Sequence, residues 1–262
     1  MPLPLTNDGE PLAGLARAPA TDLTAGRLVY AIGDIHGRDD LLAKLITTIR
    51  ADVAVRAPRD CAVLVLVGDY IDRGPTSCQV IDRVLSLRAS GEFELRCLLG
   101  NHEQAMLDFI DRRTGGPGWL KHGGGPTMRS YGVTPPDASA PRERWSAARA
   151  AFIEAVPAEH VAFLRGLELH CSYGGHLFVH AGIRPGVPLA EQTERDLLWI
   201  RREFLHHEGS YGAVVVHGHT PTEHPYLGMH RIGLDTGAYM SGTLTAIRLE
   251  GAERQFLFAR GG

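Results

Sequence analysis

The sequence predicts an α/β protein, and three observations predict it. Short apolar runs alternate with helix-period segments through the first 112 residues. Each of the first three apolar runs is ended by a glycine. The chain has 262 residues with 44% hydrophobic composition, enough for one or two domains with a sizeable core. The alternation reads as a parallel sheet with helical crossovers.

In order, Met1 to Gly26 is rich in Pro, Ala and Gly without periodicity, and is expected to be a flexible arm, with residues 27–262 forming a single domain. Leu28 to Ile32 is the first strand. Asp39 or Asp40 is positioned to cap a helix that places Leu41, Leu42, Leu45, Ile46 and Ile49 on one face. Ala62 to Val67 is the second strand. Ser77 is the expected cap of a helix with Val80, Ile81, Val84 and Leu85 inward. Phe93 to Leu99 is the third strand, followed by a helix from Glu103 to Arg112.

Residues 113–141 break the pattern with many Gly and Pro and are expected to be an excursion near the site. Arg142 to Arg165 is helical with an interruption at Pro157. Leu167 to Tyr173 and His176 to His180 form a hairpin about Gly174-Gly175. Asp196 to Leu205 is helical. Ala213 to Val216, Arg231 to Leu234, Thr243 to Leu249 and Arg254 to Phe258 are strands.

Composition narrows the function. A formal net charge of -3 offers no global basic field for nucleic acid, and none is expected as a partner. The aliphatic run Ala62 to Val67 is far too short to span a bilayer. The N-terminus lacks a basic segment leading into an apolar stretch, so no signal peptide is expected. Of Cys61, Cys78, Cys97 and Cys171, none forms a C-x-x-C and three lie in apolar strand-like runs; buried, reduced thiols and a cytoplasmic location are expected.

The chemistry sits at the strand ends. Gly33-Asp34-Ile35-His36-Gly37, Gly68-Asp69-Tyr70-Ile71-Asp72-Arg73-Gly74 and Gly100-Asn101-His102-Glu103 follow the first three strands. His180-Ala181-Gly182 and His217-Gly218-His219-Thr220 follow two later ones. Ligands of open α/β sheets gather beyond the carboxyl ends of the strands, so these clusters are expected to converge. Singly, a Gly-Asp or a His at a strand end is an ordinary turn or surface residue; five such clusters in succession are a site.

Carboxylates, imidazoles and an amide oxygen without thiolate suit Mn²⁺, Fe or Zn²⁺. Asp34 and His36 can face one ion, and Asp69 can bridge two. Asn101, His180 and one of His217 and His219 can complete the second ion's shell. Two ions roughly 3.5–4 Å apart can share a hydroxide and clamp a phosphate.

These five motifs, in this order, resemble the phosphoprotein phosphatase family of calcineurin-like metallophosphoesterases, most nearly its small bacterial and phage serine/threonine phosphatases. The likeness runs from about Leu28 to Leu249. It implies a β-sandwich flanked by helices, with a dimetal site at the sheet ends and two divalent ions, Mn²⁺ first among them. It implies that Asp34, His36 and Asp69 hold the first ion, and Asp69, Asn101, His180 and His219 the second. His219 is preferred because Gly218-His219-Thr220 matches the family's Gly-His-Thr, leaving His217 behind it. His102 resembles the general acid and Asp72 its partner. Arg73 resembles a phosphate-gripping arginine, and Arg201, after Trp199-Ile200, a second, with Arg202 as the near alternative.

The implied activity is phosphomonoester hydrolysis by direct attack of a metal-bridging hydroxide, on a phosphorylated protein, peptide or small phosphoester. A symmetrical dinucleoside tetraphosphate hydrolase shares most motifs, but the likeness implies that such enzymes usually lack an aspartate at the place of Asp72. A non-catalytic scaffold is disfavoured because His102, Asp72 and Arg73 accompany a full ligand set. Trp119, His122, Arg129 and Tyr131 of the excursion are candidates to touch the non-phosphate part of a substrate, with Trp119 as a mere anchor the competing possibility.

Overall fold

The computed structural model describes residues 23–112 and 115–261. Most of the expected N-terminal arm, residues 1–22, lies outside them, as do Arg113 and Thr114.

In chain order the elements are β1 (Leu28–Ile32), α1 (Asp39–Arg56), β2 (Val63–Leu66), α2 (Ser77–Ser90), β3 (Glu94–Cys97), α3 (Asn101–Ile110), α4 (Gly116–Lys121), α5 (Gly124–Ser130), α6 (Arg142–Ala155), α7 (Ala158–Arg165), β4 (His170–Tyr173), β5 (His176–Val179), α8 (Glu194–Trp199), α9 (Arg202–Leu205), β6 (Val214–His217), β7 (Tyr226–Leu227), β8 (Arg231–Gly233), α10 (Ala238–Ser241), β9 (Thr243–Glu250) and β10 (Glu253–Arg260).

The strands form two five-stranded mixed sheets, ordered β10-β9-β1-β2-β3 and β4-β5-β6-β8-β7. The parallel expectation holds for β1, β2 and β3, while β9 and β10 extend that sheet antiparallel. Strand alternation makes the sandwich. Val29, Ala31, Val63 and Val65 pack with Phe178, Val216 and Ile232 of the second sheet. The intervening Tyr30, Ile32, Leu64 and Leu66 join the helix faces of α1 and α2. Leu177, Val179 and Val215 turn the other way, onto Leu197, Ile200 and Phe204 of the α8–α9 segment.

Several details differ from expectation. Arg38 holds the N-cap position of the first helix without a side-chain capping bond, while Asp39 is held by Arg83 and Asp40 by Arg38 itself. Thr76, not Ser77, holds the N-cap position of α2, without a side-chain capping bond; the buried Ser77 hydroxyl accepts from the Asp72 amide. Leu87 rather than Leu85 is fully buried on that helix. The helix after β3 starts at Asn101. Within the excursion, residues 116–130 carry the helices α4 and α5, and glycine permits their close packing: a Cβ at Gly116 would lie 1.8 Å from Trp145. The expected helix Asp196 to Leu205 breaks at Ile200 and Arg201, leaving Arg201 between α8 and α9. The short β7 and α10 carry no periodicity long enough to read. Cys97 and Cys171 are buried, but Cys61 is exposed and Cys78 half-buried, on α2. All four are free thiols. No helix among the described residues is long and apolar enough to cross a membrane.

Candidate active site

The strand-end clusters meet. Five predicted site residues have backbones in the left-handed region: His36 (φ 47), Asp69 (φ 52), Asp72 (φ 70), Arg73 (φ 68) and His219 (φ 64). For a non-glycine residue that costs on the order of 1–3 kcal/mol and persists where surroundings over-determine it. At Asp69, Glu103 does this. Its buried carboxylate accepts from the amides of Asp69 (2.9 Å), Tyr70 (2.8 Å), Ile71 (3.3 Å) and Gly100 (3.0 Å). Burial raises Glu103 to about 7 despite those bonds. The motif glycines give room: a Cβ at Gly218 would lie 1.9 Å from Asp34 Oδ1, and one at Gly100 2.2 Å from Asp69 Oδ1.

Asp34, His36, Asp69, Asn101, His180 and His219 are all buried and close together. His36 Nε2 lies 3.6 Å from Asp69 Oδ2 and 4.0 Å from Asp34 Oδ2. His180 Nε2 lies 3.5 Å from Asp69 Oδ1 and 2.9 Å from Asn101 Oδ1, and His219 Nδ1 lies 2.8 Å from the same Asn101 oxygen. Asp69 is common to two groups of ligand-type atoms that lie within 4.8 Å of one another, one with His36 and His102 and the other with His180 and His219; a third group, Cys78, Asp82 and His160, does not include it.

The donor chemistry fits divalent cations. His36 Nδ1 and His180 Nδ1 each face a backbone carbonyl, of Ile71 and Val67, at 2.9 Å. A carbonyl only accepts, so Nδ1 carries the proton and Nε2 presents a lone pair to the cluster. His36 Nε2 is buried without a partner. His180 Nε2 faces an amide oxygen, lone pair against lone pair, an arrangement a cation resolves. Burial holds His36 well below its ordinary value and His180 down to about 3, so both are neutral, as ligation requires. Burial, reinforced by the neighbouring charge of Asp235, raises Asp34 well above the carboxylate range; burial and Glu103 do the same to Asp69.

Beside this cluster stands a dyad. His102 Nδ1 is 2.8 Å from Asp72 Oδ2. Asp72 also accepts from Trp119 Nε1 at 2.9 Å and Thr127 Oγ1 at 2.6 Å. Burial raises Asp72 to about 7, while these donors oppose that shift. His102 Nε2 lies 3.2 Å from Arg73 Nη2, and burial, with Arg73, pushes the imidazole well below its ordinary value. His102 Nε2 is also 3.8 Å from Asp69 Oδ2, so proximity alone does not separate a ligand from an acid.

Arg73 is held by a main-chain bond to Gly123 O (3.0 Å), and its guanidinium lies 4.8 Å from the Tyr239 ring centroid. Arg201 donates to Thr220 Oγ1 at 3.3 Å, beside His219. Its charge also bears on His102, His180 and His219, a placement favouring it over Arg202.

Other expectations divide. His217 turns away from the cluster: its Nδ1 faces Gly218 O at 3.0 Å and its ring stands edge-on to Phe204. Trp119 and Tyr131 are buried, so neither offers a surface to substrate. His122 and Arg129 are exposed, and the His122 ring lies 6.1 Å from His102 and 5.6 Å from Trp199. Sequence reading missed Asp235, buried with Oδ2 unpartnered beside Asp34. The strand-end rule that finds Asp34 also finds it, because Asp235-Thr236-Gly237 follows β8. Tyr239 and Thr127 carry no comparable signal.

Residues 28–241 match the family model described as calcineurin-like phosphoesterase. The chain belongs to that family. This calcineurin-like phosphoesterase is 31% identical over 231 residues to serine/threonine-protein phosphatase 1 of Salmonella typhimurium, covering 86% of this chain and 93% of that protein. It is 29% identical over 238 residues to the asymmetrical bis(5'-nucleosyl)-tetraphosphatase PrpE of a Geobacillus species, covering 83% and 88%. Its fold matches a crystal structure provisionally assigned as a diadenosine tetraphosphatase, with TM-score 0.62 and 19% identity, over 91% of this chain and 96% of that one. The expected family and fold are therefore borne out, and the chain is a hydrolase of phosphoesters.

Proposed function

We propose that this phosphoesterase is a dinuclear phosphomonoesterase of the serine/threonine protein phosphatase type. In this reading Asp34, His36 and Asp69 hold one divalent ion and Asp69, Asn101, His180 and His219 the other, with Mn²⁺ the first candidate. When bound, such ions supply charge neutralisation and a nucleophile at neutral pH. Arg73 and Arg201 bind the phosphate oxygens through their planar forks.

The observation that carries the reading is the buried His102–Asp72 pair, 2.8 Å apart, beside Arg73. Trp119 and Thr127 donate to Asp72 and favour its carboxylate, so the proton between the pair sits on His102 Nδ1. Nε2 then accepts from Arg73 until an anion engages that guanidinium. An arriving phosphate withdraws the arginine and adds negative charge, which favours protonation of Nε2. His102 can then hand that proton to a departing alkoxide, the need of a serine or threonine ester.

A second reading is hydrolysis of a dinucleoside tetraphosphate. One observation favours it: a groove of about 370 Å³ lined by Arg73, Pro75, Pro126, Arg129 and Ser130 leads away from the phosphate arginine, with no carboxylate along it. The relative named as a bis(5'-nucleosyl)-tetraphosphatase supports it too. A side-by-side panel with Mn²⁺ tests the two readings: phosphoserine peptide, phosphotyrosine peptide, diadenosine tetraphosphate and inorganic tripolyphosphate. Faster turnover of phosphoserine peptide is expected; preferential cleavage of diadenosine tetraphosphate reverses the assignment.

A further inference from the structure

A second cavity lies outside the site described above. It has a volume of about 540 Å³ and is lined by the segment after α9 and the turn between β7 and β8. Its charged wall is Arg231, at the start of β8. Arg231 is half-buried and stacks on the Tyr226 ring, 3.7 Å from the centroid. Its polar contacts are both long and both to neutral groups: His217 Nε2 at 3.4 Å and Leu205 O at 3.4 Å. Charge-assisted bonds run about 2.7–2.9 Å, so neither contact compensates the cation. Burial lowers the Arg231 pKa, and the only opposing influences are the hydroxyls of Tyr226 and Tyr211. Among the described residues no carboxylate lies within ion-pair distance of it. Buried Arg248 is the contrast, held by both Asp52 and Glu253.

A sheltered guanidinium without a counter-ion is costly unless something pairs with it. Three imidazoles, His206, His207 and His230, line the same cavity and can add N–H donors; Glu208 is the one carboxylate in the lining and forms no ion pair with Arg231. Several nitrogen donors around one cation suit a tetrahedral dianion. The volume exceeds that of a bare phosphate and lies within the range of small-molecule sites.

We propose that this pocket is a second anion site, separate from the catalytic centre, which takes a phosphate group either free or carried by a small metabolite. Equilibrium dialysis of the metal-loaded protein with radiolabelled inorganic phosphate tests it. The wild type is expected to bind two equivalents. Arg231→Met is expected to weaken one of them at least tenfold. His206→Glu is expected to do the same from an exposed position, without risk to the core and with kcat on p-nitrophenyl phosphate unchanged. A second arm adds the non-hydrolysable phosphonate analogue of AMP: displacement of the pocket equivalent assigns a nucleotide-borne phosphate, and no displacement assigns the free ion. A single equivalent in the wild type, or two equivalents retained in both variants, overturns the proposal.

Discussion

Trp119 Nε1 donates a 2.9 Å hydrogen bond to Oδ2 of Asp72, the same oxygen that faces His102 Nδ1. This tryptophan, a candidate either to touch substrate or merely to anchor its segment, lies beneath the dyad, 2% exposed. It can only donate, so it favours the carboxylate form of Asp72 and the Nδ1–H tautomer of His102.

Trp119→Phe keeps most of the packing and removes that donor. The rate on phosphoserine peptide is expected to fall roughly tenfold, the scale of one hydrogen bond to a charged group. Metal content is expected to stay unchanged. Steady-state kinetics with metal analysis check this; an unaltered rate would mean that Trp119 only fills space.

His102→Asn separates acid catalysis from ligation. Loss of a positioned general acid is worth roughly 10²–10⁴ in rate on an alkoxide leaving group. The loss is expected to be smaller on p-nitrophenyl phosphate, whose leaving group needs little protonation, and both ions are expected to remain. Equal losses on the two substrates, or one ion missing, would make His102 a ligand.

Chelation is expected to abolish activity and Mn²⁺ to restore it. Asp69→Asn is expected to be more damaging than His219→Asn, because Asp69 alone is shared by the group with His36 and the group with His180 and His219. Metal stoichiometry of the two variants measures this. Wild-type content and rate in Asp69→Asn would remove its bridging role.

Arg129→Ala addresses substrate choice. If the groove beside Arg73 receives further phosphates, kcat/KM for diadenosine tetraphosphate is expected to fall roughly tenfold, about one charge-assisted contact. The value for p-nitrophenyl phosphate should not move. Parallel losses on both substrates would place Arg129 at the scissile phosphate instead.

Glu103→Ala strands the amides of Asp69, Tyr70 and Gly100 in the interior. Unsatisfied buried groups cost about 1–3 kcal/mol each, so a loss of at least about 3 kcal/mol is expected. Calorimetry should show a Tm lower by roughly 6–12 °C, on a scale of about 2–4 °C per kcal/mol for chains of this size. An unchanged Tm would show that the Gly-Asp turn holds without Glu103.

The sequence by itself determined the ligand-type residues, because their signal is local. An apolar run, a glycine and a metal-capable donor follow one another at Asp34, Asp69, Asn101 and His219, and His180 follows its apolar run directly. Sheet topology then brings such ends together, so the convergence was legible once β1, β2 and β3 were recognised as strands. The parallel part of the first sheet followed from alternation alone. Only the tertiary structure decided the support of those residues. Thr127 and Trp119 reach Asp72 from 55 and 47 residues away, and no periodicity records such a contact. The break at Arg201, the turning of His217 towards Arg231 and the burial of Tyr131 likewise depend on which neighbours fill the space. Local chemistry names the groups that can bind or react; packing between distant segments sets each one's direction, tautomer and charge.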